Sequence, residues 1–285
     1  MFPELIPARQ MRRAIDNWVD ELVANYADTL ETLSQPFLEL LIWIEQLLRQ
    51  SPWWAVVGAV IALTFAISRR WKLSLAMGAL LSCIGLLGLW DRGMQTLALM
   101  IMATGLSVAI GIPLGILMAR INWLRQVMLP VLDVMQTMPS FVYLIPVVML
   151  FGLGKIPAII ATVVYAVPPL IRLTDLGIRL VDAEVLEAAR AFGANSRQQL
   201  FGVQLPLAMP NIMAGINQTT MMALSMVVIA SMIGARGLGQ EVLLGINRLE
   251  VGRGLLAGLA IVVLAILFDR ITQAFGQRQQ ARRGA

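Results

Sequence analysis

The sequence predicts an all-α, polytopic transmembrane helical bundle with an amphipathic N-terminal helical segment. Three observations predict it. Of 285 residues, 58% are hydrophobic and only 14% are charged, whereas soluble domains run near about 45–50% apolar and about 25% charged. The mean hydropathy is +0.77. The apolar residues also fall in long blocks, and spanning a bilayer takes about 20 of them in succession.

The first element lies ahead of those blocks. Over residues 14–50, Ile15, Trp18, Leu22, Tyr26, Leu30, Leu33, Phe37, Leu40, Ile44 and Leu47 recur at three- and four-residue steps, the period of a one-sided helix. Asp16, Asp20, Glu21, Asp28, Glu31, Glu39 and Glu45 fill much of the other face. Such a helix lies in the membrane interface or packs on a protein surface. Ser34-Gln35-Pro36 is expected to break it in two. Residues 1–14 carry Arg9, Arg12 and Arg13 with no apolar run behind them, unlike a secretory signal.

Seven membrane spans follow, at roughly 52–68, 73–90, 95–119, 128–151, 156–171, 207–233 and 254–269. Lys and Arg collect on the cytoplasmic side of membrane proteins. The larger share of the 22 falls on one side if the C-terminus is cytoplasmic: Arg69, Arg70, Lys72, Arg120, Arg125, Arg172 and Arg179 among them. An N-outside, C-inside layout follows. Gly111-Ile-Pro-Leu-Gly115 in the third span offers a close helix contact.

Composition excludes several function classes. There is no histidine and one cysteine, Cys83, inside an apolar block, so neither a His-based metal site nor an internal disulfide is expected, and no catalytic residue or metal ligand is assigned. The net charge of +5 comes without basic residues interleaved with aromatics, so no nucleic-acid partner is expected. Phosphate-binding loops read G-x-x-x-x-G-K-[ST]. Gly152-Leu-Gly154-Lys155-Ile156 lacks that spacing and the hydroxyl, so the chain is not expected to hydrolyse ATP.

The longest polar stretch between apolar blocks is 172–206. Asp182 is placed to cap a helix, Gly193 to end it, and Ser196-Arg-Gln-Gln199 to box the start of the next. Val185, Ala189 and Phe192 share one face, and Glu187 and Arg190 lie one turn apart, within reach of each other.

Within this loop stand Glu187-Ala188-Ala189, Gly193, Val203 and Leu205-Pro206. Their spacing resembles the EAA signature of permeases in binding-protein-dependent ABC importers. The stretches Asp133-Val-Met-Gln-Thr-Met-Pro-Ser-Phe-Val-Tyr-Leu-Ile-Pro, Gln204-Leu-Pro-Leu-Ala-Met-Pro-Asn-Ile-Met-Ala-Gly-Ile-Asn-Gln-Thr and Ala223-Leu-Ser-Met-Val-Val-Ile-Ala-Ser-Met-Ile-Gly resemble permeases for glycine betaine and proline betaine. The resemblance implies a type I ABC importer permease in a bacterial inner membrane. Its partners would be a second copy of itself, a cytoplasmic ATPase dimer that binds ATP and Mg, and a periplasmic or surface substrate-binding protein. Residues 1–51 would be a tail with the amphipathic helix, 52–275 the transmembrane permease domain, and 276–285 a cytoplasmic tail. Glu187, Ala188, Ala189, Arg190, Gly193, Ala194, Leu205 and Pro206 would couple to the ATPase.

Polar residues inside a membrane face a cavity or another helix. Gln136, Thr137, Phe141 and Tyr143 in the fourth span, with Asn217, Gln218, Thr220 and Ser225 in the sixth, are the candidates for a translocation path. Residues 198–235 carry no charge, which suits a zwitterion. Quaternary ammonium groups are held by aromatic cages, and Phe141 with Tyr143 does not complete one. Asp133 is expected to pair with Arg125 or Arg120. The alternatives are a permease for an amino acid such as methionine or another polar solute, and an ion-coupled secondary transporter, which requires inverted repeats or an intramembrane ion site.

Overall fold

The computed structural model describes residues 8–281, and those described residues are helical with no strand. The N-terminal residues before Ala8, and Arg282 and Arg283 of the expected tail, lie outside them. The helices are α1 (Ala8–Gln50), α2 (Trp53–Ser68), α3 (Trp71–Leu86), α4 (Trp90–Arg120), α5 (Asn122–Thr137), α6 (Leu144–Phe151), α7 (Lys155–Ala166), α8 (Pro168–Arg179), α9 (Ala183–Ala191), α10 (Ser196–Gln198), α11 (Leu205–Ala230), α12 (Leu238–Asn247) and α13 (Val251–Ala281). Four stretches are long and apolar enough to cross a membrane: Trp90–Arg120, Lys155–Arg179, Ser196–Ile233 and Val251–Gly276. They cover four of the seven expected spans.

The other three are not single long apolar helices. The span expected at 128–151 is two helices meeting at 110°. Met138 is extended (φ −67°, ψ 135°) before Pro139, because a residue ahead of proline is forced out of the helical region. A short 3-10 turn, Ser140–Tyr143, then leads into α6. The span at 52–68 is α2, which meets the Thr32–Gln50 part of α1 at 109°. The span at 73–90 is the shorter apolar helix α3.

Pro36 does not break α1, which runs unbroken through it. Proline removes one N–H and crowds the preceding turn, and here the surrounding turns are held by packing. Leu41 is fully buried, and Ser34 and Glu45 are nearly so. Leu30, Leu33 and Phe37 lie beside Ile110 and Ile160, whereas Arg49 binds Asp91 at the start of α4 at 2.5 Å. This half of α1 therefore climbs along α4 as part of the bundle wall. Counting spans from residue 52 omits it. At the other terminus α13 continues as helix through the expected boundary at 275 to Ala281.

Glycines set the spacing at the centre. The α7–α8 span is the most enclosed, with 67% of its apolar window buried. A β-carbon on Gly111 would lie 3.0 Å from Leu170, and one on Gly115 would lie 2.5 Å from the Thr174 β-carbon and 2.8 Å from the Ile171 carbonyl. The expected close contact is thus between α4 and α8. Gly177 and Gly215 play the same part between α8 and α11, against Asn211 and Leu170. Replacing Gly115 by leucine is expected to destabilise the bundle by about 1–3 kcal/mol through overpacking. Thermal unfolding of the purified protein measures this. Gly105→Ala on the same helix, where a β-carbon meets nothing within 4 Å, should leave the transition unlowered or raise it slightly, since alanine favours the helix over glycine.

The two ends of the bundle carry the charges. At the end away from α9, Lys155 and Arg49 both bind the buried Glu45, at 2.6 and 3.1 Å. Arg92 and Arg253 converge on Glu241 of α12, at 3.1 and 2.8 Å. These pairs tie α1, α4, α7, α12 and α13 together there. Between the ends, Trp53, Trp54, Leu63, Phe65, Trp71 and Leu75 on α2 and α3 are exposed. Trp53 and Trp54 open α2, and Trp71, with Lys72 over its ring at 5.8 Å, opens α3. Apolar helix faces with tryptophans near their ends suit a bilayer and its interfaces. Cys83 lies on the exposed surface of α3.

Candidate functional site: the exposed loop helix and the polar faces behind it

The loop between α8 and α11 is built by its caps. Asp182 accepts a hydrogen bond from the Glu184 N–H at 2.9 Å and starts α9. The helix ends at Gly193, whose φ is +82°. The Gly193 N–H donates to the Arg190 carbonyl (2.9 Å) and the Ala194 N–H to the Ala189 carbonyl (3.0 Å). This pair of bonds is the Schellman motif, which needs a left-handed residue at the turn. The next helix restarts one residue earlier than expected. The capping box is formed by Asn195 and Gln198, at 2.8 and 2.9 Å, because Asn195 holds the extended backbone a cap requires. A π-helical segment, Gln199–Gln204, then leads into α11 at Leu205-Pro206.

No residue of α9 is buried. Glu187, Ala188, Arg190 and Gly193 are exposed, and Ala189, Ala194, Leu205 and Pro206 are half-buried. Glu187 and Arg190 do not pair. Arg190 instead reaches Gln199 across the turn at 3.4 Å, which leaves the Glu187 carboxylate with no ion-pair partner among the described residues. Val185 and Phe192 are exposed, Phe192 to 92%, as is Phe201 just beyond.

Beneath the loop lies a clasp. Asp175 of α8 is 3% exposed. One carboxylate oxygen accepts from Arg125 of α5 and the other from Arg179, each at 2.9 Å. Arg179 also donates to the Met118 carbonyl at 2.8 Å and to Asn122 at 3.0 Å. Arg120, at the end of α4, donates to the Ser196 carbonyl at 2.8 Å. The ends of α4, α5 and α8 and the second half of the loop are therefore one connected unit. Asp133 does not pair with Arg125 or Arg120, since Arg125 is held by Asp175 and Arg120 by the loop. Its partner is Arg172 of α8.

The membrane candidates divide into two groups. Gln136, Thr137, Phe141, Gln218 and Ser225 are exposed on α5, the 3-10 turn and α11. Behind them, Tyr143 and Leu144 share a core cluster with Leu224 and Val227. Tyr143, Asn217 and Thr220 are engaged inside the protein. The Tyr143 hydroxyl donates to the Met135 carbonyl, and its ring packs edge-on to Tyr165 at 5.9 Å. Thr220 bonds back to Ile216 at 2.7 Å. Asn217 binds Asp269 of α13 at 3.1 Å and accepts from Thr272 at 2.8 Å.

Asp175, Arg172 and Asp269 are the residues that sequence reasoning missed. Asp175 and Arg179 stand four apart on a helix, a pairing legible in the sequence. Asp269 is the last residue of the expected span 254–269, and its partner Asn217 lies far off in sequence.

Residues 111–281 match the family described as "Binding-protein-dependent transport system inner membrane component". The chain is similar to the glycine betaine/proline betaine transport system permease protein ProW of Escherichia coli, with 46% identity across 99% of this chain and 80% of that protein. It is also similar to the glycine betaine/carnitine transport permease protein GbuB of Listeria monocytogenes, 43% identical across 93% of this chain and 96% of that one. The glycine betaine transport system permease protein OpuAB of Bacillus subtilis is 47% identical across 75% of this chain and 78% of its own. Among solved structures, an inward-facing form of the MetNI methionine ABC transporter superposes with a TM-score of 0.60 at 20% identity, covering 67% of this chain and 95% of that one. That likeness is one of fold.

Proposed function

Because the chain belongs to the family of binding-protein-dependent transport system inner membrane components, we propose that it is the membrane-spanning subunit of a bacterial ATP-driven importer for glycine betaine- and proline betaine-type osmolytes. The observation that carries the reading is the similarity to a glycine betaine/proline betaine permease across 99% of the chain. The exposed loop helix supports it. In this reading α9 seats in a separate cytoplasmic ATPase, which binds the ATP and Mg, while a periplasmic or surface binding protein delivers the solute to the opposite end. The C-terminus is cytoplasmic, and a second copy of the chain completes the path.

The mechanism follows from the connections. Glu187, Ala188, Ala189 and Arg190 present a small-residue face flanked by charge, which admits close approach of a partner. Gly193 and Ala194 fix the turn, and Leu205-Pro206 opens α11. Movement of α9 passes through the Schellman turn into α10 and α11, and through Arg120 and the Asp175 clasp into α4, α5 and α8. The faces carrying Gln136, Thr137, Phe141, Gln218 and Ser225 then shift against those of the second copy. Tyr143, Asn217 and Thr220 brace these faces from behind.

The reading is tested by affinity purification of the tagged chain with its ATPase and measurement of ATP hydrolysis in lipid nanodiscs. A stoichiometric ATPase, stimulated by binding protein loaded with glycine betaine and not with methionine, is the expected result. Stimulation by methionine alone would reassign the cargo. Purification without any ATPase would sink the importer reading.

A further inference from the structure

The geometry points to the Asp133–Arg172 pair as a substrate subsite, in which Arg172 takes the carboxylate of a zwitterionic quaternary amine and Asp133 takes its ammonium end. The inference rests on the betaine-importer reading and assigns charged groups to the path that reading requires.

Asp133, Gln136 and Thr137 stand at i, i+3 and i+4 on α5 and are all exposed, so they form one polar stripe. Asp133 lies more than two turns inside α5 from Asn122. Its side chain is 65% exposed, and that of Arg172 is 30% exposed. Turned toward lipid at that depth, the pair would be strongly unfavourable. It therefore faces water or a second protein surface, and the stripe it belongs to is the one proposed to line the path.

The pair is also incompletely satisfied. One terminal nitrogen of Arg172 reaches Asp133 and the Leu129 carbonyl, and its Nε is buried without a hydrogen-bond partner. An incoming carboxylate that takes the place of Asp133 on the terminal nitrogen makes the charge-assisted hydrogen bond guanidinium favours. Asp133 is then released to face a cation. The zwitterion replaces an internal ion pair with its own two charges, one on each partner, so no net charge is buried at any stage. The Asp175 clasp offers no such exchange, because both its oxygens are already held by arginines within a buried site.

The test uses the assembled transporter in nanodiscs, with Cys83→Ser and Gln136→Cys, the new thiol lying one turn from Asp133. The rate of its alkylation by a small maleimide is measured with glycine betaine and with choline, which has the ammonium but no carboxylate. Betaine is expected to slow alkylation about ten-fold at roughly nine times its dissociation constant, by mass action. Arg172→Gln should abolish protection by betaine and leave protection by choline. Arg172→Lys, which keeps the charge, should retain part of the betaine effect, and Asp133→Asn should lose both. Equal protection by betaine in all variants would overturn the proposal. So would absence of protection in a parent that still takes up betaine with ATP and binding protein. A Cys83→Ser transporter that keeps Gln136 and takes up no betaine would instead overturn the reading of function.

Discussion

Replacing Gly193 by valine is expected to lower ATP-driven uptake about ten-fold while leaving the chain inserted and able to bind its ATPase weakly. The reason lies in the backbone. A β-carbon at Gly193 meets nothing within 4 Å, so crowding is not the cause. Its φ of +82° costs an ordinary residue roughly 1–2 kcal/mol, and a β-branched one is the worst placed there. About 1.4 kcal/mol is ten-fold in an equilibrium constant, so the balance shifts about that far away from the Schellman bonds of Gly193 and Ala194 that fix α9 against α10. Gly193→Asn, which tolerates the left-handed region, should keep most of the uptake. Uptake and membrane content measured side by side separate uncoupling from loss of protein. Normal uptake in the valine variant would remove the rigid turn from the coupling route.

The second large effect is expected at Asp175. Asp175→Ala leaves Arg125 and Arg179 facing each other without their shared carboxylate. Removing one member of a buried ionic cluster is destabilising by about 3–5 kcal/mol. The lower end applies here, since the two arginine side chains are 39% and 31% exposed and water screens them in part. The expected outcome is a clear drop in the melting temperature of the detergent-solubilised protein and loss of uptake. Arg125→Gln, which leaves Arg179 still paired with Asp175, should be the milder change. Equal stability of Asp175→Ala and the parent would show that the clasp does not hold α5 and α8 together.

These residues also mark where the sequence was legible. The loop could be read nearly residue by residue because its signals are local: Asp182 caps two residues ahead, and Gly193 answers a backbone angle only glycine takes easily. Even the misplaced box, at Asn195 rather than Ser196, is an error of one position between two good caps. The long apolar blocks were equally plain, as α4, α7–α8, α11 and α13 are each continuous.

Tertiary packing decided the rest. Pro36 carries a strong local signal to break α1, but Leu41 and Glu45 are held in the bundle and the helix continues through it. Pro139 carries the same kind of signal inside an apolar block, and there the chain does turn. Hydropathy cannot tell the two apart. Asp133 had arginines nearby in sequence at 120 and 125, yet its partner, Arg172, comes from another helix. Asp269, the last residue of the expected span 254–269, finds its partner Asn217 only because α11 packs on α13.

The most direct test of the central claim is uptake of labelled glycine betaine into liposomes that hold this chain with its ATPase and binding protein, with and without ATP on the ATPase side. Accumulation that needs both ATP and the binding protein is the predicted result. Uptake that proceeds without ATP would contradict the account.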